Sequence, residues 1–325
     1  MNKRIVWIDE ARGLAMLAIL LFHTEMYYIG NDILPYTMFV ENALALFFFL
    51  SGYLFVSSHR PFSLPTKMRM IFRRLIIPYL FFTLLIAIPK AWVHHNQISL
   101  QSIFIPIITG KASWFVATLI VAEIYYALIQ YLADRLCFSL RSRLLLETCT
   151  MLSPVIGYLI FEEYCSIDIL SVTTIALVFI FLGRMFRLIE HRMIFVQHHW
   201  VIVCMALLLF CMKLYENKAN VFMTFFYIRI DSFPLFYADT LLSCLLLVSL
   251  LRKIKGTLRL LSWTGRHSLV IYFFCGGVPI CIAHVMPTYN GSLGLLFVAF
   301  LLVWLLASLI AWGVYKFLPW IVGTR

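Results

Sequence analysis

Ten apolar stretches, each about as long as a bilayer core is thick, recur along this chain of 325 residues. A helix needs about 20 mostly apolar residues to cross the hydrocarbon core of a bilayer. The pattern predicts an all-α fold, a polytopic transmembrane bundle of about ten helices that occupies residues 1–325 as a single domain. The stretches lie at residues 8–29, 36–57, 75–93, 113–133, 144–161, 168–188, 199–214, 235–251, 267–286 and 293–315.

The composition excludes most other classes of protein. Hydrophobic residues make up 63 % of the chain and charged residues 13 %, and the mean hydropathy is +0.93. Soluble domains are about 45–50 % apolar and about 25 % charged, so a soluble enzyme, a disordered chain and a disulfide scaffold are excluded. The net charge of +11 is not concentrated in a basic stripe on a soluble module, and we predict no nucleic-acid partner.

The basic residues predict the orientation in the membrane. With the N-terminus in the cytoplasm, 21 of the 26 Lys and Arg residues fall in cytoplasmic segments, as the positive-inside rule requires. We therefore expect a multi-pass membrane protein with both termini cytoplasmic. The first apolar run lacks a small-residue cleavage site and is interpreted as a retained helix. Two interrupted stretches, 98–110 and 221–234, are predicted to be interfacial or re-entrant.

Cysteine and histidine give no metal signal. None of the eight Cys residues forms a C-x-x-C pair, and a Cys inside an apolar run behaves as a small hydrophobe. The pairs His94-His95 and His198-His199 are adjacent, so on a helix they point to different faces. No H-x-x-x-H or carboxylate spacing accompanies them, and we predict no metal site.

The first helix carries ionisable residues, which inside a membrane span indicate a functional site. Arg12 and His23 are eleven residues apart, within about 20° of one helical face and about 16 Å along its axis. Asp9 shares that face and is positioned to pair with Arg12. The alternatives are an interfacial anchor for Arg12 and, for His23, a buried histidine bonded to a neighbouring helix or a general base.

Two further features follow the first helix. Ser51-Gly52 is a small pair that allows close helix approach, an interpretation at least as good as a catalytic one, since no acid or histidine is adjacent to Ser51 in sequence. Arg69, Arg73 and Arg74 precede Pro78. They provide either the positive-inside signal or a cytoplasmic phosphate clamp, because guanidinium groups match phosphate bidentately.

Five motifs follow one another along the chain: Ile5–Ala15 with His23 after it, Phe47–Tyr53, Arg73–Tyr79, Trp114-Phe115 and Thr264–Tyr272. Together, and in this order, they resemble the motifs of the acyltransferase-3 family of integral membrane acyltransferases, which includes bacterial sugar O-acetyltransferases. The signature helix of that family has Arg and His separated by ten residues, as in this sequence.

The resemblance implies a ten-helix enzyme that takes an acyl group, acetyl by family frequency, from cytoplasmic acyl-CoA. It delivers the group to a hydroxyl of a cell-envelope sugar or glycolipid, and no cofactor is permanently bound. By the family pattern His23 is the catalytic residue and Arg12 its essential partner. The donor arginines are Arg69, Arg73 and Arg74, and the supporting residues are Asp9, Ser51, Trp114 and Arg266.

Two other classes of function remain open at this point. Intramembrane Arg and His also suit a transporter or flippase for a lipid-linked or anionic solute, although no internal repeat of the kind found in many transporters is visible. A non-catalytic membrane sensor of the same fold is the other alternative. The acceptor, the acyl chain, the choice between direct transfer and an acyl-enzyme, and the oligomeric state are left open.

Overall fold

The computed structural model describes residues 5–55, 62–93, 99–137, 139–160, 168–225, 228–254 and 256–323. Nearly all of this chain is helical, so the predicted all-α fold is confirmed. The chain divides into two compact units. The first comprises Met1–Phe47, Glu190–Phe225 and Arg229–Phe317, and the second Phe48–Ile189, Phe226–Ile228 and Leu318–Arg325.

The first unit combines the start of the sequence with most of its second half. It contains α1, which continues into a π-helical turn, and the first part of α2 (Tyr36–Leu54), up to residue 47. The elements are α1 (Val6–Thr24), the π turn (Glu25–Ile29), a 3₁₀ turn (Ile194–Gln197), α9 (His199–Lys218), α10 (Phe233–Lys253), α11 (Arg259–Arg266), α12 (Ser268–Phe274), α13 (Gly277–Val285) and α14 (Leu293–Phe317).

The second unit contains residues 48–54 of α2, which ends at Leu54. Its core includes the fully buried rings of Phe48, Phe82 and Phe179. The elements are α2 (Tyr36–Leu54), α3 (Leu64–Ile71), a π turn (Phe72–Ile76), α4 (Ile77–Val93), α5 (Leu100–Ile108), a 3₁₀ turn (Lys111–Ser113), α6 (Trp114–Leu136), α7 (Leu140–Ile160) and α8 (Asp168–Ile189).

Each of the ten predicted spans coincides with a helix or a pair of helices. Six are long and apolar enough to cross a membrane, and α12 with α13 makes a seventh if this pair, bent by 57°, is one span. The remaining three are α1, α2 and α7. The first turns of α1 carry Asp9, Glu10 and Arg12, α2 is a shorter apolar helix, and α7 begins with two arginines.

The third predicted span begins earlier than residue 75. α3, the π turn and α4 form one helix from Leu64, so the basic cluster lies on the helix and not in a loop before it. Pro78 explains the π turn, because a proline ring clashes with the carbonyl four residues earlier and cannot donate a hydrogen bond. The Ile77 N–H donates to the carbonyl oxygen of Phe72, five residues back.

The two interrupted stretches have different structures. Residues 100–108 form α5, whose first turn is capped by the Ser99 side chain and which contains Pro106. The stretch 221–234 contains an antiparallel pair of two-residue strands, β1 (Met223–Thr224) and β2 (Arg229–Ile230), with Met223 opposite Ile230. Where the structure describes it, this stretch is therefore a hairpin followed by the start of α10.

Candidate active site

The helix α1 positions three of the predicted site residues. Arg12 and His23 are half-buried, whereas Asp9 is only 5 % exposed. The helix is regular from Val6 to Thr24, so Arg12 and His23 stay near one face and about 16 Å apart along the axis.

Aromatic rings surround His23 in the last turn of α1. Its ring is nearly parallel to that of Tyr27, with centroids 6.1 Å apart, and it meets the ring of Phe22 edge-on at 5.5 Å. No residue in the described ranges hydrogen-bonds to either ring nitrogen of His23. The alternative of a histidine bonded to a neighbouring helix is therefore not seen in the described ranges.

The backbone of α11 crosses that of α1 in close contact beside Arg12. A Cβ atom at Gly13 would clash with the carbonyl oxygen of Leu261, and one at Gly265 with the carbonyl oxygen of Asp9. Each helix therefore has a glycine where the other backbone passes, the usual device for close helix approach in membranes. The first and the last of the five motifs each supply one of these glycines.

Glu10 fixes the start of α11. The residue is 2 % exposed, and its Oε1 accepts a hydrogen bond of 2.7 Å from the backbone N–H of Leu258. Leu258 precedes the helix and has no polar side chain to cap it, so the carboxylate supplies the cap and lies at the positive end of the helix dipole. Sequence analysis missed Glu10 because its partner is 248 residues away.

Two other predicted site residues, Asp9 and Arg266, lie near each other. The Nε atom of Arg266 is 3.9 Å from Oδ2 of Asp9. The same guanidinium donates to the carbonyl oxygen of Ser262 at 3.2 Å and to its hydroxyl at 3.1 Å. These bonds hold the Arg266 side chain along α11, towards the end of α1 that carries Arg12.

His267, next to Arg266, is a second histidine with a fixed ring. It stacks on Trp263 at 4.1 Å and meets Tyr315 edge-on at 4.5 Å. Its Nδ1 lies 2.7 Å from the carbonyl oxygen of Trp263. Because a carbonyl can only accept, we assign the proton to Nδ1, which makes Nε2 the acceptor nitrogen. The sequence analysis did not single out this residue.

In the second unit, Ser51 has an acidic partner that is distant in sequence. Its hydroxyl donates a very short hydrogen bond to Oε1 of Glu123, and Oε2 of Glu123 pairs with Nζ of Lys67 at 3.0 Å. Nζ also lies 3.9 Å from the centroid of the Phe55 ring. Glu123 comes from α6, 72 residues after Ser51, so a search for an adjacent acid could not find it.

The packing role predicted for Ser51-Gly52 is confirmed at Gly52. A Cβ atom there would clash with the carbonyl oxygen of Ile180 on α8, and one at Gly183 would clash with that of Phe49 on α2. The second unit thus repeats the device of α1 and α11, with a glycine on each of two closely crossing helices.

The three donor arginines of the sequence analysis lie on one continuous helix, with Arg69 in α3 and Arg73 and Arg74 in the π turn. All three are exposed. π turns are common at functional sites because the extra residue redirects the side chains around it. Trp114 begins α6 and is half-buried. Its ring lies 6.0 Å from that of Phe115.

Each unit therefore holds part of the predicted set of site residues. The first contains Asp9, Arg12, His23 and Arg266 around α1 and α11, and the second contains Ser51, Arg69, Arg73, Arg74 and Trp114. Within the described ranges, no group of three or more His, Cys, Asp or Glu residues is arranged to bind a metal ion.

Comparison with protein families identifies the family to which this chain is similar. The family model Acyl_transf_3, described as an acyltransferase domain, matches residues 5–315. No curated protein and no solved structure matches the chain.

Proposed function

This chain belongs to the acyltransferase-3 family and is a membrane acyltransferase, and from that premise we propose its substrates and the roles of its residues. The donor is cytoplasmic acyl-CoA, and the transferred group is acetyl. The acceptor is a hydroxyl of a cell-envelope glycan or glycolipid, and the enzyme works in the inner membrane of a bacterium with both termini cytoplasmic.

His23 carries this proposal. The imidazole is half-buried, packs against aromatic rings and has no hydrogen-bond partner among the described residues. A polar ring held in an apolar setting without a partner has a desolvation cost, which a functional role justifies. We assign His23 as the group that touches the acceptor hydroxyl.

The reaction proceeds by general-base catalysis at this imidazole. Neutral His23 accepts the proton of the acceptor hydroxyl while that oxygen attacks the thioester carbonyl. The tetrahedral intermediate expels the CoA thiolate, which takes the proton from the imidazolium, so the products are the acyl ester and free CoA. In the variant route the acyl group passes first to a ring nitrogen of His23 and then to the acceptor.

The distance along α1 supports one role for Arg12, orienting the donor, over a second, stabilising the negative charge that develops on the thioester carbonyl. About 16 Å of helix separates Arg12 from His23, too far for both side chains to act on one thioester carbonyl. Arg12 therefore orients a part of the donor remote from the thioester, which the elongated CoA molecule extends to. Asp9 and Arg266, at the same end of α1, position Arg12 through the contact of α1 with α11.

The exposed guanidinium groups of Arg69, Arg73 and Arg74 bind the phosphates of CoA. Ser51 is a positioning residue in this scheme. Its hydroxyl donates to Glu123, whose other oxygen holds Lys67 at the start of the same helix that carries the arginines. Trp114 packs at the start of α6 and supports the helix that carries Glu123.

The proposal is tested with purified protein in nanodiscs, by measuring release of free thiol from acetyl-CoA with and without envelope glycan. We expect thiol release that depends on both, together with a glycan mass increased by one acetyl group. Transport of a solute without thioester consumption would contradict the proposal and favour a transporter. Consumption of a longer acyl-CoA but not acetyl-CoA would correct only the acyl group.

A further inference from the structure

Arg184, an arginine of the second unit, forms no hydrogen bond or ion pair with any residue that the structure describes. Arg184 belongs to α8, five residues before its end at Ile189. The residue is half-buried, and its Nε is buried without a hydrogen-bond partner. Among the described residues, no carboxylate pairs with its guanidinium and no acceptor bonds to it.

The other half-buried basic residues that the structure describes in the second unit all have an acceptor, which Arg184 lacks. Lys67 pairs with Glu123 at 3.0 Å. Arg143 pairs with Glu147 at 3.1 Å and also with Asp134 and Gln130. Arg187, one turn after Arg184, donates to the Tyr53 hydroxyl at 2.5 Å and lies over its ring. In each case α-helices of the unit provide an acceptor for the cation.

The packing of α8 covers Nε of Arg184. The preceding residue, Gly183, lies against the backbone of α2 at Phe49, so α2 and α8 are in close contact at this level. Tyr126 of α6 lies within electrostatic range of the guanidinium and is itself fully buried. A long side chain that only reached for the membrane surface would expose its charged end, but here Nε is covered.

A partly buried cation to which no described carboxylate bonds is costly, and charged groups inside membrane proteins mark binding sites. An anion that pairs with the guanidinium removes this cost. A phosphate suits it best, because the fork of N–H donors binds phosphate oxygens bidentately. Arg184 is half-buried and not fully enclosed, so such a ligand can reach the residue from its exposed part.

We propose that Arg184 is the core of a phosphate-binding site in the second unit, with Arg187 beside it on the same face of α8. The phosphate is supplied by the acyl donor, and in this the inference rests on the proposed function. An anionic phospholipid headgroup carries the same chemistry, and the experiment separates the two sources.

The experiment measures binding of adenosine 3′,5′-bisphosphate, the phosphate-bearing end of CoA, by calorimetry. Wild type, Arg184→Gln and Arg141→Gln are compared in nanodiscs of neutral phosphatidylcholine. Arg141 is the matched control, an exposed arginine of the same unit. Loss of one hydrogen bond to a charged group corresponds to roughly 10- to 150-fold in Kd. We expect a rise of that size for Arg184→Gln and no change for Arg141→Gln.

A second measurement separates a site residue from a structural one. A buried charge that is structurally paired destabilises the fold when removed, whereas an unpaired one does not. We expect the ligand-free Tm of Arg184→Gln to equal or exceed that of wild type, and its Tm increase on adding the bisphosphate to be lost. A lower ligand-free Tm with unchanged Kd would overturn the proposal.

The lipid source is tested by repeating the comparison in nanodiscs that contain phosphatidylglycerol. One outcome is that the bisphosphate does not bind, whereas phosphatidylglycerol raises the Tm of wild type but not that of Arg184→Gln. In that case the phosphate belongs to lipid, and the assignment to the donor is overturned. If wild type consumes acetyl-CoA and binds the bisphosphate as tightly as Arg184→Gln does, the inference fails and the proposed function stands. If wild type neither binds nor consumes the donor, the proposed function fails.

Discussion

At the scale of single residues, His23 decides whether the chemistry resides on α1. Removing a general base lowers the rate by roughly 10²–10⁴-fold. We expect the acyl-transfer rate of His23→Gln to fall by roughly 10²-fold or more. The variant should still insert into the membrane and still bind acyl-CoA. Glutamine keeps a hydrogen-bonding side chain but no titratable base, so a merely structural histidine would tolerate it.

The matched control for His23 is His199→Gln, because His199 is an exposed histidine in the first turn of α9. It should retain wild-type turnover in the thiol-release assay. Turnover of a well-folded His23→Gln protein at the level of this control would move the chemistry away from α1.

The exposed arginines of the second unit give a separate prediction about the donor. Changing Arg69, Arg73 and Arg74 together to Ala should raise the KM for acyl-CoA by roughly 10- to 150-fold for each lost contact, with a much smaller effect on the acceptor. Arg→Lys should be harmful as well if the contacts are bidentate. Equal donor affinity in the triple variant would leave these residues only their topological role.

At the scale of helices, the crossing of α1 and α11 depends on two glycines. A methyl group at Gly13 or Gly265 would meet a backbone carbonyl, and overpacking of this kind costs about 1–3 kcal/mol. We expect Gly13→Ala and Gly265→Ala to lower the Tm and to reduce turnover, because the register of Arg12 against α11 shifts.

The control for these variants is Gly313→Ala in α14, where an added Cβ meets nothing within 4 Å. Alanine is favoured over glycine inside a helix by about 1 kcal/mol, so this variant should be as stable as wild type or more stable. The same loss of stability in all three variants would contradict the prediction that the close contact of α1 and α11 depends on these two glycines.

Sequence periodicity predicts the helices well and their partners poorly. All ten apolar stretches are helical, and the small pair at Ser51-Gly52 predicts a close crossing that α8 provides. Periodicity along one helix cannot say which other helix completes a polar contact. For that reason Glu10 with Leu258, and Glu123 with Ser51, were beyond the reach of local patterns.

The start of the third span illustrates a different limit. The run of Lys and Arg before residue 75 is polar enough to suggest a loop, yet it forms the first turns of the helix. Long basic side chains cover apolar surface with their stems and keep their charges outside, so a helix can begin well before its apolar part. The hairpin within residues 221–234 was missed because the strands are only two residues long.

At the scale of the whole molecule, topology is the quantity to test. Ten spans would place both termini on one side, and from the charge distribution we predict that this side is the cytoplasm. Seven spans, the largest number that length and apolarity alone support among the described residues, would place them on opposite sides. Reporter fusions at Arg325 and after Asn220, just beyond α9, should give opposite locations. The same location for both would refute the ten-span topology.

The α1–α11 contact joins two helices that are synthesised at widely separated times. Gly13 and Gly265 are about 250 residues apart, and a ribosome adds about 5–20 residues per second, so roughly 13–50 s separate the emergence of the two surfaces. Throughout that interval α1 lacks its partner α11, so Glu10 has no Leu258 N–H to bond to and Gly13 has no Leu261 backbone to pack against. The first unit can therefore be completed only late in synthesis, after α11 has been made.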